Sequence, residues 1–374
     1  MGKHADTLHV VHVLSALNVG GIELRLLDLV RALPVDVRTT VVTVGSEKGS
    51  LTAEFERAGA QVLAVPIAHP RFAIRFVRAL RAIDADAVHS HAFLGSGFFL
   101  MLAWFARVPV RIANFQSDGD PHPPLRRRAR EAAMRALITV FATRILGVSD
   151  HSLEAWRRGW RRSTRALVLT NGFDLAGIVD RAKTTANVGI SRPVILHVGR
   201  ADLRTKNRGR AIMILERIVV HRPDAQLIFV GRDGATPSQA SENRAELDEL
   251  ARSLRVEANV TYLGERSDVI ELMAAADALL FTSSREGVPG TVVEALATGL
   301  PVVSSDIPGC TFIKDRVASG LSCVPLAATD DEWAAAVTDA IAAKVERGEV
   351  SPLAGTVFDV ESTARQLQGI WAGA

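Results

Sequence analysis

Two cysteines, one tyrosine and an aromatic content of 5% are what this 374-residue chain has least of. Cys310 and Cys323 are too few for a disulfide scaffold and match no metal-ligand spacing. A reducing cytosol is therefore the simplest compartment. Surface aromatics interleaved with bases are missing, as are recognised nucleic-acid motifs, which argues against nucleic acid as a partner. No secretory leader is visible. The apolar opening LHVVHVLSALNVGG follows a polar start, contains two histidines and ends in glycines, so it reads as a buried first strand. The most apolar run, Phe93 to Val110, is interrupted by Gly95, Gly97, Arg107 and Pro109 and makes a poor membrane span.

What is present is core-forming material. The chain is 48% hydrophobic and 23% charged, enough for two ordinary domains. A net charge of +3 conceals an asymmetry. Residues 1–185 carry 25 bases and 16 acids, a balance of +9, and the remainder carries 19 and 25, a balance of −6. Arginine outnumbers lysine and alanine is abundant, a composition that fits a GC-rich genome better than a mechanism.

Short apolar runs alternate with helical patterns. In the first half, strands are predicted at His9–Leu14, Thr39–Val44, Gln61–Val65, Ala87–His89, Val110–Ala113, Thr143–Val148 and Ala166–Leu169. Between them lie helical patterns at Gly21–Leu33, Phe72–Ile83, Leu94–Ala106 and Leu125–Phe141. Near-continuous apolar strands separated by helices predict a doubly wound α/β fold with a parallel sheet. Residues 172–192 lack a period and read as a linker. A second series follows, with strands at Val194–Val198, Gln226–Val230, Val260–Leu263, Ala278–Phe281 and Val302–Ser304. A helix is predicted at Arg208–His221, and Val360–Trp371 stands apart from the series. Ligands of such sheets bind beyond the carboxyl ends of the strands.

Four stretches fall at such ends. Gly20 and Gly21 open a helix after the first strand, either as a tight turn or to let backbone N–H groups approach a phosphate. His89 and His91 end a strand; they read as a metal pair lacking a third ligand, or as structural histidines. Arg200 and Lys206 follow a strand and precede a helix, where two cations suit a diphosphate, or a solvated loop. In REGVPGTVVEALATGLPVVSSDIPG, Glu286 and Glu294 flank Gly287 and Gly290 at a helix start. Thr291 and Glu294 have the form of a capping box. The alternative is an anion at the helix start, with a carboxylate on each side to accept hydroxyl hydrogen bonds.

This last stretch resembles the E-x7-E signature of retaining GT-B glycosyltransferases of glycosyltransferase family 4. GGIE, DAVHSHA, NGFD, VGRADLRTKN, LIFVGRDG and VTYLGERSDVIELMAAADALLFTSSREG are similar to that family's other elements, in its order, over nearly the whole chain. The resemblance implies a GT-B fold, two doubly wound Rossmann-like domains facing across a cleft. Residues 1–183 would form the acceptor domain and 184–356 the donor domain, with the helix at 357–374 packing back on the first. It implies that Arg200 and Lys206 bind the donor diphosphate, that Glu286 holds hydroxyls of the donor sugar, and that Glu294 holds the ribose. Amides around Gly287, Gly290, Thr291 and Val292 would add phosphate contacts, and Gly20 and Gly21 would approach from the other domain. His91 would orient the transferred sugar; the loop at Gly264, Glu265 and Arg266 would lie by the base. No cofactor or metal is expected, the nucleotide-sugar being a co-substrate. Two departures stand out: Val288-Pro289-Gly290 replaces Phe-Gly-Leu, and Asn207 replaces the glycine after the lysine.

The implied reaction is sugar transfer from a nucleotide-diphosphate sugar, UDP first and GDP second, to an acceptor hydroxyl with retention. The acceptor is expected to be a cell-surface glycan or glycolipid, with a soluble small molecule as the alternative. Arg71, Arg75, Arg78 and Arg81, with the cluster PLRRRAREAAMRAL, either form solvated faces or dock on anionic lipid. The protein is accordingly expected in the cytoplasm, with peripheral contact at the inner membrane face. A sugar-nucleotide 2-epimerase and a non-catalytic sugar-nucleotide binder are the readings from other classes.

Overall fold

The computed structural model describes residues 7–117, 124–183, 193–200, 205–234, 236–343 and 351–373. They divide into two compact units. The first holds the chain up to Asp174 together with Val357 onward; the second is Leu175–Thr356. The expected boundary at 183/184 lies nine residues further along the chain.

The first unit has seven strands: β1 (Leu8–Leu14), β2 (Val37–Thr43), β3 (Gln61–Ala64), β4 (Ala87–Ser90), β5 (Val110–Phe115), β6 (Arg144–Gly147) and β7 (Ala166–Val168). All are parallel, in the order β3-β2-β1-β4-β5-β6-β7. Alternation along β1 sends Val11 and Val13 to one core and Val10 and Leu14 to the other, so both faces are covered. The strand order reverses between β1 and β4, and Gly20 and His91 follow those two strands.

The helix Phe72–Ile83 buries Phe72, Phe76 and Leu80 and leaves Arg71, Arg75, Arg78 and Arg81 exposed. It stops at Asp84, whose φ of 55° is left-handed. The terminal helix Val360–Trp371 belongs to this unit and packs Val360, Ala364, Leu367 and Trp371 into the core that contains Leu26 and Leu29. Phe173 N–H donates to Phe358 O at 2.8 Å and Val360 N–H to Phe173 O at 3.0 Å, fixing where the helix begins. Gly172 lies so close that a Cβ would meet Val360 Cα at 2.4 Å.

The second unit has six strands: β8 (Val194–Val198), β9 (Gln226–Val230), β10 (Val260–Gly264), β11 (Ala278–Phe281), β12 (Val302–Ser305) and β13 (Leu321–Val324). They are parallel in the order β10-β9-β8-β11-β12-β13, and the order reverses between β8 and β11. The reading of residues 172–192 as a linker is corrected in part. Leu175–Ala182 is a helix that buries Leu175, Ile178 and Val179, while 184–192 lie outside the described residues. β13 escapes the sequence reading because it is an edge strand whose Ser322 is exposed and Cys323 half-buried.

Candidate active site

In the second unit the site grows from the reversal point. β8 is followed by Gly199 and Arg200, and Arg200 is exposed. Residues 201–204 lie outside the described set. Thr205–Asn207 then dock on the end of β11: the Thr282 hydroxyl faces Lys206 O at 3.0 Å and Asn207 O at 2.9 Å, and Ser284 N–H donates to Thr205 O at 2.8 Å. His197 Nε2 lies 3.2 Å from the same hydroxyl oxygen. That hydroxyl spends its proton on the carbonyls, so His197 must carry its own on Nε2. Burial, then the charges of Arg208 and Lys206, push the His197 pKa down to about 3, so the ring is neutral.

Asn207 has φ 51°, the left-handed region, and precedes the helix Arg208–Val219. Asparagine is among the few residues other than glycine that tolerate this region.

This docking brings Lys206 to Glu286. Lys206 Nζ lies 2.5 Å from Glu286 Oε1, with both side chains mostly shielded. Glu286 leads through Gly287, Val288 and Pro289 into the helix Gly290–Ala297. The N-cap is Pro289, with no side-chain cap. Thr291 is thus the second helical residue, and the capping box predicted from Thr291 and Glu294 does not form. Gly290 and Thr291 contribute first-turn amides, which have no acceptor within a helix. Val292 is fully buried and packs the helix down. Half-buried Glu294 lies within electrostatic reach of Arg181. Arg181 forks to Glu271 at 3.0 and 2.9 Å and reaches Ser267 O at 2.8 Å. Those contacts, Glu271 first, raise the Arg181 pKa.

Arg208 was not singled out from the sequence as a site residue, and it organises this end of the unit. It is wholly buried. Its guanidinium donates to Asp233 Oδ1 at 2.6 Å, to Gly199 O at 2.6 Å and to Gly231 O at 3.2 Å. It thereby ties together the turns that follow β8 and β9. The two turns touch: a Cβ on Gly231 would meet Gly199 O at 2.5 Å. Nothing in the sequence marks Arg208, since arginine is seldom fully buried unless paired.

The loop expected to lie by the base follows β10. Gly264, with φ 65°, accepts from Gly231 N–H at 2.7 Å. Arg266 is held by Asp268 at 2.8 and 2.6 Å, and Glu265 faces Arg232 at 3.7 Å. Arg266 is thus paired to Asp268 and exposed.

In the first unit Gly20 is extended and caps the helix Gly21–Ala32. The Glu23 carboxylate folds back so far that a Cβ on Gly20 would meet its Oε2 at 2.5 Å. An anion therefore already sits at this helix start, and burial raises its pKa. His91, past the end of β4, has both ring nitrogens engaged: Nε2 is 3.0 Å from His12 Nδ1 and Nδ1 is 3.0 Å from Gln116 Nε2. Asn171 Nδ2 donates in turn to Gln116 Oε1 at 3.0 Å. Burial lowers the His91 pKa to about 4 and those of His12 and His89 well below the usual value. Among the described residues neither nitrogen of His89 meets a hydrogen-bond partner.

Thus Lys206 meets Glu286 in the second unit, and the same segment runs through Gly287 into the helix that carries Gly290, Thr291 and Glu294. Gly20, Gly21 and His91 share the carboxyl end of the first unit's sheet.

The chain is similar to known proteins along most of its length. Residues 20–172 match the family described as a glycosyl transferase 4-like domain, and 180–350 match glycosyl transferases group 1. The capsular polysaccharide biosynthesis glycosyltransferase CapH of Staphylococcus aureus is 26% identical, covering 97% of this chain and 98% of that protein. An N,N'-diacetylbacillosaminyl-diphospho-undecaprenol alpha-1,3-N-acetylgalactosaminyltransferase of Campylobacter jejuni is 26% identical over 65% of each. The crystal structure of Anabaena HepE in complex with UDP superposes with a TM-score of 0.79 at 20% identity, covering 98% of this chain and 100% of that one. That likeness is one of fold: two parallel-sheet Rossmann-like domains, the GT-B architecture.

Proposed function

We propose that this glycosyltransferase, which joins a glycosyl transferase 4-like domain to a glycosyl transferases group 1 domain, moves a sugar from a nucleotide-diphosphate sugar to a growing glycan with retention. The observation that carries the reading is the Lys206–Glu286 pair at the start of the helix that bears Glu294. A donor diphosphate entering there meets Lys206, Arg200 and the first-turn amides of Gly290 and Thr291. Phosphate oxygens take over Lys206, which frees Glu286 to accept hydrogen bonds from sugar hydroxyls. Glu294 accepts from the ribose hydroxyls. As the glycosidic C–O bond breaks, negative charge gathers on the leaving phosphate, and these groups stabilise it without reorganising.

Retention through a covalent glycosyl-enzyme needs a carboxylate at the anomeric carbon. Glu286 and Glu294 are both assigned to hydroxyls here. The reading is therefore a same-face substitution in which the leaving phosphate takes the acceptor proton. Because protein cations neutralise the diphosphate, transfer should not require a divalent metal.

UDP is the first candidate donor, GDP the second. A glycan or lipid-linked glycan acceptor fits the CapH and Campylobacter relatives by their names and the basic first half of the chain. Such an acceptor would place the enzyme at the cytoplasmic membrane face. No helix among the described residues is long and apolar enough to cross a membrane.

The test is transfer from a panel of UDP-, GDP-, ADP- and dTDP-sugars to lipid-linked and soluble acceptors, with and without EDTA. Product configuration is read by NMR. The reading expects one nucleotide class, a product anomer matching the donor, and turnover unchanged by EDTA. An inverted product would refute the mechanism, and free epimerised sugar with no transfer would refute the activity.

A further inference from the structure

The three histidines at the carboxyl end of the first unit's sheet do more than support His91. His12 and His89 are exact register partners on the neighbouring parallel strands β1 and β4, so their side chains leave the same face side by side. His91, two residues beyond His89, joins them. One nitrogen from each ring lies within 4.8 Å of one from each of the others. The ring centroids are 5.2 Å (His12–His89), 5.3 Å (His12–His91) and 4.5 Å (His89–His91) apart.

A tetrahedral centre with metal–nitrogen bonds of about 2.1 Å places its ligand nitrogens about 3.4 Å apart and imidazole centroids about 5 Å apart. The His12 Nδ1 to His91 Nε2 distance is 3.0 Å. The triangle of rings thus already has the size of a facial three-histidine site.

Two further observations point to a ligand. Among the described residues, both nitrogens of His89, which is only 2% exposed, lack a hydrogen-bond partner. A buried polar group left in that state keeps the full cost of its desolvation. Beside the rings is a cavity of about 30 Å³ lined by His89, His91, Asn114 and Gln116, room for one or two waters. Among the described residues Asn114 Oδ1, which lines the same cavity, is buried without a partner and is available to accept from a water there.

We propose that His12, His89 and His91 bind a late first-row divalent cation, of which Zn²⁺ is the representative, with water as fourth ligand. The rings are neutral, the state in which imidazole ligates. Ligation through His91 Nε2 moves its proton to Nδ1, which then donates to Gln116. The carboxamides of Gln116 and Asn171 reverse together, so each hydrogen bond in that chain is kept with its direction inverted. No net proton is released. The bound ion would join β1, the end of β4 and, through Gln116, the end of β5. Its three ligands all belong to the first unit, and ligation leaves neither ring nitrogen of His91 free for the sugar contact that the family resemblance implies.

The test uses the full chain without a histidine tag, stripped with a chelator and equilibrated with micromolar Zn²⁺. Metal content is measured by mass spectrometry after gel filtration, and Co²⁺ substitution is followed by visible absorption. Wild type and His221→Asn, an exposed control, are expected to retain one equivalent, with intense four-coordinate Co²⁺ bands that Zn²⁺ displaces and a melting temperature raised by several degrees. His12→Asn and His89→Asn should retain none. Their circular dichroism without metal checks the fold, and His91→Gln, at the partly open edge of the cluster, substitutes if either fails to fold. Wild type holding less than a tenth of an equivalent would overturn the proposal, as would folded variants that bind as well as wild type. Neither result depends on transferase activity.

Discussion

Replacing Arg208 with methionine tests how the second unit holds its site loops. The side chain is fully buried and gives hydrogen bonds to a carboxylate and two carbonyls, those of Asp233, Gly199 and Gly231. Methionine fills much of the volume and donates nothing. Two backbone carbonyls and the Asp233 carboxylate then lose their partner, and Asp233, 23% exposed, recovers water only in part. Removing one member of a buried ion pair costs about 3–5 kcal/mol. Arg208→Lys keeps the charge but not the fork, and should recover about half of that loss. Urea denaturation followed by circular dichroism, with the second unit's transition fitted separately, gives the stability change. Nucleotide binding in native buffer should weaken as well, because Gly199 precedes Arg200. A loss under about 1 kcal/mol for Arg208→Met, or a lysine variant no better than methionine, would refute the assignment of Arg208 as the tie between the β8 and β9 turns.

Three other perturbations follow from the same geometry. Gly309→Ala places a Cβ 2.2 Å from Gly287 O and 2.8 Å from Glu286 O; displacing that loop should cut kcat/KM about 10²-fold, and near wild-type turnover would show that the loop yields freely. Gly172→Ala drives a Cβ to 2.4 Å from Val360 Cα, so limited proteolysis should release the terminal helix faster; an unchanged digestion profile would count against its docking there. Acid should destabilise the fold before carboxylates protonate. His12, His89, His91 and His197 have folded pKa values lowered by burial, so below the unfolded value of 6.5 the unfolded chain binds more protons. Stability is then complete above pH 6.5 and falls toward pH 4, by up to about 1.4 kcal/mol per pH unit for each buried ring. A flat melting temperature across that window would contradict the buried neutral state.

Where period and length agreed, the sequence placed elements closely. The helices Phe72–Ile83, Leu125–Phe141 and Val360–Trp371 and the strands β8, β9 and β11 have their predicted bounds. Leu175–Ala182 is hard to tell from a linker in sequence, because its eight residues show barely two turns of period. The capping box shows the limit of motif reading. The T-x-x-E pattern at Thr291 forms no cap, since the helix there begins at Gly290 after Pro289. The same pattern at Thr329 and Glu332 forms both bonds of a capping box. Candidate residues that share a loop, such as Glu286 and Gly290, stand together in the sequence itself. Those that meet only through strand register do not. His12 lies 77 residues before His89, and only the β1–β4 pairing brings them together. Arg208 was visible as a helix residue, but its burial depends on two turns and an aspartate supplied by β8 and β9.

The central claim is that the second unit binds a nucleotide-sugar through Lys206 and the Glu286–Glu294 segment. Calorimetric titration with UDP-, GDP-, ADP- and dTDP-sugars, repeated on Lys206→Ala and Glu294→Ala, tests it most directly. The account predicts binding of one nucleotide class by the wild type, weakened at least tenfold, about 1.4 kcal/mol, in each variant. Binding that both variants keep at full strength, or none by a folded wild type, would contradict it.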